Sequence, residues 1–351
     1  MSKIVTIIGS GMMGSALAFP ARENGHEVRL VGTPLDRNII EECRRSGQHP
    51  KFDRPFPAGV TFAQFEAWRE AVEGADFVIG GVSSFGVDWF LDEVLAKLDP
   101  SIPVLSVTKG LVNLEDGTLI SYPDYWSRKL AERGIRRKVN AIGGPCTSYE
   151  LVFHDHSEVA FCGEDAAVLR MMKETMATSY YHISLTRDVL GLESAVALKN
   201  AYALGIAMTI GEVNREHGAE AGLHFNSQAG AFYQATREMM QLLRMQGAEP
   251  ESIAIGLGDL YVTVYGGRTR KIGILLGEGR SYEEVMQILD GVTLESLVVS
   301  RRVTQAIVRK NRQGDLDLAQ YPLLMHVRDV LEQGKDARLP WESFTFDHSV
   351  R

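Results

Sequence analysis

One lysine stands alone in a long apolar stretch of this 351-residue chain. From Ser194 to Gly211 the only charged residue is Lys199, and Asn200 follows it directly. Ala and Leu dominate the stretch and no Pro interrupts it, so the sequence predicts a long buried helix that is apolar nearly all round. An ammonium group in such a helix must be paired, lose its proton or serve a function, because desolvating a charge is costly. Lys199 is therefore the first catalytic candidate; the alternative is a lysine whose stem is buried while its ammonium reaches solvent.

A glycine-rich turn near the N-terminus is the second candidate. The apolar, partly β-branched run Val5–Ile8 predicts a strand, which leads into Gly9-Ser10-Gly11-Met12-Met13-Gly14 and then into a helical stretch. This is the pattern G-x-G-x-x-G in the strand, turn and helix context that binds a dinucleotide. The glycines permit a tight turn and a close approach of the backbone to a pyrophosphate. The alternative is a glycine turn with a structural role only.

The residues after the next predicted strand bear on the choice of dinucleotide. That strand, 26–31, lacks the terminal acidic residue that accepts a hydrogen bond from the ribose 2′-hydroxyl in NAD-specific enzymes. Asp36 comes later in the chain, and Arg37 beside it suits a 2′-phosphate. Both could equally be solvated residues at the start of a helix. The sequence therefore leaves NAD and NADP as alternatives.

Further donors for an anion follow a strand and a glycine turn. Lys109 comes directly after a predicted strand, at the end where open parallel sheets bind ligands. The stretch 256–271 is predicted as a loop with cations behind a Gly-Gly turn. Those cations are Arg268, Arg270 and Lys271. An Arg fork suits a phosphate or a carboxylate, whereas the alternatives are a solvated lysine and a basic surface loop.

Composition restricts the partners of the chain. With 45% hydrophobic and 23% charged residues it has the composition of a soluble globular protein, and its net charge of −8 argues against nucleic acid and against an acidic membrane surface. The apolar stretch around Lys199 is too short and too polar in its first half for a membrane span. The cysteines lack metal-ligand spacing, and His154-Asp155-His156 lacks a third and fourth ligand, so we expect no metal. These features favour a reduced, cytoplasmic enzyme.

The order of predicted elements indicates the fold class. Strands and helices alternate as far as Arg187, which is typical of a doubly wound parallel sheet of the Rossmann type. From Asp188 onward the patterns are helical. We therefore expect an α/β protein with a dinucleotide-binding domain over 1–187 and an all-helical substrate-binding and catalytic domain over 188–351. Together, these features predict hydride transfer to or from a small anionic substrate, with a lysine for the proton and cations for the anion.

The sequence resembles the soluble NAD(P)-dependent glycerol-3-phosphate dehydrogenases over nearly its whole length. The resemblance is carried by the glycine turn and by four further motifs. They are Thr108-Lys109-Gly110-Leu111, Gly144-Pro145, Ala197-Leu198-Lys199-Asn200 and Gly256-Leu257-Gly258-Asp259-Leu260, the last with Thr263, Gly267 and Arg268. The stretch from Gly32-Thr33 to Gln48-His49-Pro50 looks most like archaeal-type members.

The resemblance implies roles for individual residues. Lys199 would be the general acid/base, Lys109 would contact the substrate and the nicotinamide side, and Asn200 and Asp259 would orient the substrate and the lysine. Arg268 would bridge the substrate phosphate and the cofactor. The implied ligands of NAD or NADP are Gly9, Ser10, Gly11, Met12, Met13, Gly14, Thr33, Lys109, Ser148, Arg268 and Glu295. The implied substrate ligands are Lys109, Gly144, Asp259, Thr263, Gly267, Arg268 and Thr269. A homodimer acting on a polyol phosphate is expected.

Four positions depart from the family pattern. Thr269 replaces the usual Asn after Arg268, Tyr149 replaces a usual Lys, and Gln228 and Gln234 stand where Arg is common. Two alternatives therefore stay open beside glycerol 3-phosphate. One is a related lysine-asparagine dehydrogenase acting on another polyol phosphate or a small hydroxy acid. The other is a non-catalytic nucleotide sensor on the same fold.

Overall fold

The computed structural model describes residues 2–219, 222, 224–290 and 295–344. The chain divides into two compact units, Met1–Lys109 with Ser121–Glu193 and Gly110–Ile120 with Ser194–Arg351. The expected continuous spans, 1–187 and 188–351, differ from this division in one respect above all. The short segment 110–120 clusters with the second unit although it lies inside the first unit in sequence.

The strands are short and mostly buried. They are β1 Ile4–Ile8, β2 Glu27–Val31, β3 Val60–Ala63, β4 Phe77–Gly80, β5 Val104–Ser106, β6 Leu111–Asn113, β7 Leu119–Ser121, β8 Val139–Gly143, β9 Ser157–Cys162 and β10 Tyr181–Thr186. β6 and β7 form a two-stranded hairpin, and the other strands form one sheet. The edge strand β3 and the hairpin were not predicted, because neither has a long apolar run.

The helices complete both units. They are α1 Met12–Ala16, α2 Ala18–Glu23, α3 Arg37–Ser46, α4 Trp68–Ala71, α5 Val87–Phe90, α6 Tyr122–Glu132, α7 Ser148–Val152, α8 Ala166–Met176, α9 Val189–His217, α10 Phe225–Met245, α11 Ile253–Tyr265, α12 Gly267–Gly277, α13 Tyr282–Ile288, α14 Glu295–Gln313 and α15 Pro322–Gln333. Side-chain caps fix several of their starts. Ser121 caps α6, Asp165 caps α8, and Ser281 with Glu284 forms a capping box on α13.

The large sheet has the strand order β10-β9-β8-β5-β4-β1-β2-β3. All neighbouring pairs run parallel except β8 and β9, which pair antiparallel. The predicted Rossmann-type sheet is confirmed, and its strand direction reverses after β8, so that β9 and β10 run opposite to the other strands. A parallel connection needs a crossover that spans the sheet, whereas β8 and β9 are joined through the short helix α7 and a turn at His154, which has φ 64°.

This topology sets where functional residues of the first unit can lie. The parallel strands β1, β2, β4, β5 and β8 end at one edge, so the loops that follow them meet there. Behind them, Val5 and Ile7 of β1 pack in the same core as Leu17 and Phe19. The buried sheet therefore provides a rigid support for an edge made of loops.

The second unit is organised around α9, which has 29 residues. Its middle is buried on every side, as its composition predicted, and glycines let α12 approach it closely. A Cβ atom on Gly273 would lie 2.5 Å from the backbone oxygen of Leu204, and one on Gly277 would lie 2.2 Å from that of Met208. Among the described residues, no helix has the length and hydropathy that a bilayer crossing needs.

The expected anion-binding loop over 256–271 is wrong as a description of the backbone. The stretch forms the end of α11 and the start of α12, which meet at Gly266. Only Gly267, with φ 82°, retains the turn character that the Gly-Gly pair indicated. Gly256 serves packing instead, since a Cβ atom on it would lie 2.7 Å from the Cβ atom of Ala195 in α9. Glycine thus marked close helix contact rather than a loop.

A buried carboxylic acid joins two helices of this unit. Glu238 of α10 is fully buried and accepts hydrogen bonds from the backbone amides of Leu323 (2.8 Å) and Leu324 (3.0 Å), in the first turn of α15. The amide of Gln234 donates to it as well, at 2.7 Å. These bonds satisfy helix-terminal amides that would otherwise be orphaned. Burial nevertheless dominates and raises the pKa of Glu238 to about 7.

Glu238 should make the stability of the protein depend on pH. Its folded-state pKa of about 7 exceeds the ordinary 4.5, so its stabilising contribution is complete below pH 4.5 and is lost as the pH rises through 7. In Glu238→Gln this dependence should vanish. Relative to the variant, the wild type should lose about 3 kcal/mol of unfolding free energy across that range, as measured by urea titration. The exposed Glu251→Gln is the control, and parallel curves for wild type and Glu238→Gln would contradict the assignment.

Candidate functional site

The glycine turn after β1 has the shape that a dinucleotide requires. Gly9 has φ 112°, and a Cβ atom there would lie 2.5 Å from the backbone oxygen of Gly81. A Cβ atom on Gly14 would lie 2.1 Å from the oxygen of Gly9, so this glycine permits the close helix-strand contact. At Gly11, by contrast, no atom lies within 4 Å of the Cβ position. Open space at the middle glycine is what a pyrophosphate would fill, so these residues fit the expected cofactor.

A carboxylate fixes the turn to the end of β2. Asp36 accepts hydrogen bonds from the backbone amide of Ser10 (3.1 Å) and from the amide and hydroxyl of Thr33 (both 2.8 Å). The structure therefore brings together two of the predicted cofactor ligands, Ser10 and Thr33. Arg37 lies beside them at the start of α3, exposed and paired with Glu66.

A buried histidine supports the same turn from the other side. The Nε2 atom of His49 lies 3.2 Å from the backbone oxygen of Ser10, and its Nδ1 atom accepts from the amide of Lys51 at 3.1 Å. Because Nδ1 accepts, the proton of the neutral ring belongs on Nε2, which donates to Ser10. Burial lowers the pKa of His49, which favours this neutral form. Sequence reasoning did not assign this residue a function, since it lies in a polar segment without periodicity.

Two further strand-end loops meet at Lys109. Its ammonium donates to the backbone oxygen of Gly144 at 3.1 Å, which joins the loop after β5 to the loop after β8. Gly144 has φ 134°, a conformation that side chains disfavour. Ser148 follows as the first residue of α7, whose start is capped by the Thr147 hydroxyl. The structure thus joins the predicted substrate ligands Lys109 and Gly144 and places Ser148 on the same loop.

The second unit holds a buried ion pair. The ammonium of Lys199 in α9 donates to the carboxylate of Asp259 in α11, and their side chains are only 12% and 3% exposed. The close contact of Ala195 with Gly256 lies one turn before each partner, and it sets the separation of the two helices there. Thr263 follows one turn later and donates its hydroxyl to the backbone oxygen of Asp259 at 2.7 Å. Lys199 therefore does not reach solvent freely, which argues against the snorkelling alternative.

The remaining predicted residues of this unit lie along the same helices. Asn200 is half-buried beside Lys199, Gly267 and Arg268 open α12 with an exposed guanidinium, and Thr269 is buried. α14 begins at Glu295, whose side chain lies outside the described residues. Within the described ranges, no group of three or more His, Cys, Asp or Glu side chains could hold a metal ion.

The residues that depart from the expected pattern have different surroundings. Gln234 is buried, and its side-chain amide donates to Glu238. Gln228 is buried near the start of α10, where its side-chain amide lies 3.4 Å from the backbone oxygen of His224. Tyr149 is exposed, and its ring packs on Phe153. Gln228 and Gln234 therefore lie inside the helical unit, whereas Tyr149 lies at the surface.

Two family profiles match the chain over most of its length. The NAD-dependent glycerol-3-phosphate dehydrogenase N-terminus matches residues 4–168, and the C-terminus of the same family matches residues 188–341. An NADP(+)-dependent glycerol-3-phosphate dehydrogenase of Archaeoglobus fulgidus is 32% identical over 289 residues, which is 82% of this chain and 84% of the relative. The chain belongs to the NAD-dependent glycerol-3-phosphate dehydrogenase family.

Further comparisons agree with this membership. A glycerol-3-phosphate dehydrogenase [NAD(P)+] of Koribacter versatilis is 28% identical, covering 95% of this chain and 94% of its own. A solved glycerol-3-phosphate dehydrogenase of Plasmodium falciparum superposes with a TM-score of 0.82 at 19% identity, covering 99% and 96% of the two chains, and this likeness shows the shared fold. The predicted family, fold class and nicotinamide cofactor are confirmed, and the chain is an NAD(P)-dependent oxidoreductase.

The glycine turn yields a prediction that separates binding from folding. Gly11→Val should leave the melting temperature nearly unchanged, because its Cβ position is open and its φ of −63° suits any residue. It should abolish binding of NADH and NADPH in calorimetry, because the side chain would fill the pyrophosphate volume. Gly14→Ala is the matched comparison, and it should lower stability even without cofactor. Full nicotinamide binding by a folded Gly11→Val protein would refute the assignment.

Proposed function

We propose that the protein interconverts glycerol 3-phosphate and dihydroxyacetone phosphate, with Lys199 as the general acid/base. The observation that carries this proposal is the buried ion pair of Lys199 with Asp259 in the helical unit. The names of the relatives supply the substrate, and the glycine turn of the first unit fits the dinucleotide. The first unit would bind the cofactor, and the second would supply the proton.

The proposed chemistry divides between cofactor and protein. When bound, the nicotinamide exchanges a hydride with the carbon that carries the reacting oxygen. The Lys199 ammonium gives a proton to that oxygen in reduction, and the amine takes it back in oxidation. Asp259 would hold the Nζ atom in place through the ion pair. Asn200, the next residue of the helix, orients the substrate.

Cations would hold the phosphate. Arg268 opens α12 with an exposed guanidinium that can present its fork to phosphate oxygens, and Arg270 and Lys271 follow it in sequence. Thr269 offers one hydroxyl where the family usually has an amide, so Arg268 would carry more of the contact in this chain. Lys109, held at the Gly144 oxygen, would polarise the reacting oxygen.

Loss of the lysine should stop the chemical step without affecting cofactor binding. Lys199→Ala should lower kcat for dihydroxyacetone phosphate reduction by at least about 100-fold, as expected for loss of a general acid, with nicotinamide affinity unchanged. Turnover is followed by nicotinamide absorbance and affinity by calorimetry. Lys97→Ala, which removes an exposed lysine paired with Glu93, is the control. Retained turnover in Lys199→Ala would exclude the proposed role.

Removal of the guanidinium should weaken use of phosphorylated substrates. A hydrogen bond to a charged group contributes about 1.5 to 3 kcal/mol, so Arg268→Ala should cut kcat/KM by roughly 10- to 100-fold, mainly through KM. Arg280→Ala removes another exposed arginine and should have no such effect. A panel of polyol phosphates and hydroxy acids discriminates between the candidate functions. Turnover of a hydroxy acid, with glycerol 3-phosphate and dihydroxyacetone phosphate both inert, would favour the related lysine-asparagine dehydrogenase instead.

We further propose a homodimer that works in the cytoplasm. Large aromatic side chains are exposed on the helical unit, among them Phe225, Tyr233, Tyr261 and Tyr265, and such side chains favour association. Within the described residues the cysteines form no disulfide, which suits a reducing compartment. Sedimentation analysis of the purified protein tests the dimer, and a monomer at all concentrations would exclude it.

A further inference from the structure

A second buried acid lies at the first-unit end of α9. Glu193 is fully buried, and neither of its carboxyl oxygens has a hydrogen-bond partner among the described residues. Ionising a carboxylic acid in such a place is costly, so the neutral form is favoured. Sequence reasoning did not select Glu193 because an acid near a helix start is ordinarily a solvated residue.

The charges around Glu193 oppose one another. Lys109, after β5, lies close enough to attract the carboxylate, whereas Asp124, in the first turn of α6, repels it. Asp124 itself is bonded to the hydroxyl of Ser121 at 2.7 Å. Burial outweighs the attraction of Lys109 and raises the pKa of Glu193 to about 8. The thiol of Cys162, at the end of β9, also faces this acid, and burial holds its pKa well above the ordinary value, so it stays neutral.

The Gly144 oxygen and the carboxyl group of Glu193 both attract the ammonium of Lys109. Its ammonium donates to the backbone oxygen of Gly144, which places it at the strand-end edge with the other predicted ligands. A negatively charged Glu193 would attract the same ammonium far more strongly than the neutral acid does. Which oxygen wins depends on the proton of Glu193.

We propose that Glu193 is a positioning residue for Lys109: as a neutral acid it leaves the ammonium on the Gly144 oxygen, and as a carboxylate it draws the ammonium away from the strand-end edge. The proposal rests on the proposed function only in assigning Lys109 to the substrate. Glu193, six positions before Lys199 in α9, would thus control the position of Lys109, the cation that follows β5. Catalysis would then weaken as Glu193 loses its proton, through Lys109 rather than through Lys199.

The first test does not need turnover. Lys109 is half-buried, so an amine-selective acylating reagent followed by mass spectrometry can report its reactivity. At about pH 7 wild type and Glu193→Gln should label equally, because a neutral acid and an amide are alike in charge. At about pH 9 the wild-type Lys109 should label roughly tenfold more slowly than in the variant, since an ionised neighbour keeps the amine protonated. Lys97 is the internal control and should label at the same rate in both proteins.

The second test uses the pH profile of the reaction. With dihydroxyacetone phosphate, wild-type kcat/KM should fall as the pH rises past 8, and in Glu193→Gln this fall should begin only at higher pH, while kcat at about pH 7 changes less than threefold. Glu193→Met introduces an apolar side chain of similar length and should behave like Glu193→Gln. It replaces Glu193→Gln in the test if the buried amide prevents folding. Lys109→Ala should lower activity at every pH, and its profile should likewise lack the fall that begins near pH 8.

The outcomes separate the two proposals. Equal Lys109 labelling in wild type and both Glu193 variants at about pH 9 would overturn the role of Glu193, whatever the enzyme reduces. An unchanged high-pH limb in the variants would do the same. Inert triose phosphates with the labelling difference intact would instead remove the proposed substrate and leave the coupling of Glu193 to Lys109 standing.

Discussion

The helical unit depends on keeping one ammonium group out of water. A buried ion pair is a poor source of stability, because desolvating both charges offsets most of their attraction. Losing one partner, however, typically costs about 3 to 5 kcal/mol, which approaches the whole free energy of unfolding of a marginally stable domain. Lys199 and Asp259 must therefore be brought together by something else. The contact of Ala195 with Gly256 does this, since only small residues let α9 and α11 come so close one turn before the pair.

The first unit solves a different problem, which is to place backbone amides and an open volume side by side. Its buried sheet fixes where the strands end, and the loops are then tied to one another by polar contacts. Asp36 ties the glycine turn to the end of β2, His49 supports the Ser10 oxygen, and Lys109 joins the ends of β5 and β8. Each tie uses one buried or half-buried group, so the edge is set before any ligand arrives. Such preorganisation lowers the ordering cost of binding.

The sequence predicted features that local pattern determines and missed those that depend on tertiary contacts. The glycine turn and the long buried helix agree with the structure, because each is defined by residue types at fixed spacing. The reversal at β9 has no signal in the sequence, since strand direction depends on how the connection packs. The sequence predicts a loop over 256–271, where the structure has helices, because a glycine packed against α9, such as Gly256, looks the same in sequence as a glycine in a turn. Glu193 and His49 were missed because the burial that gives them their properties has no local signature.

One of the four departures from the expected family pattern, Gln234, lies beside a buried acid. An arginine at position 234 would bring a permanent cation next to Glu238, whereas Gln234 donates a neutral hydrogen bond and leaves the acid with a pKa of about 7. Glu238 can then cap α15, while the guanidinium of Arg237 donates to the side-chain oxygen of Gln234 at 3.1 Å. Asp259 differs from Glu193 and Glu238 in having an ammonium as its partner. This chain thus resolves the cost of burying acids in two ways, by neutralising those that serve structure or position and by pairing the one that would orient the proton donor.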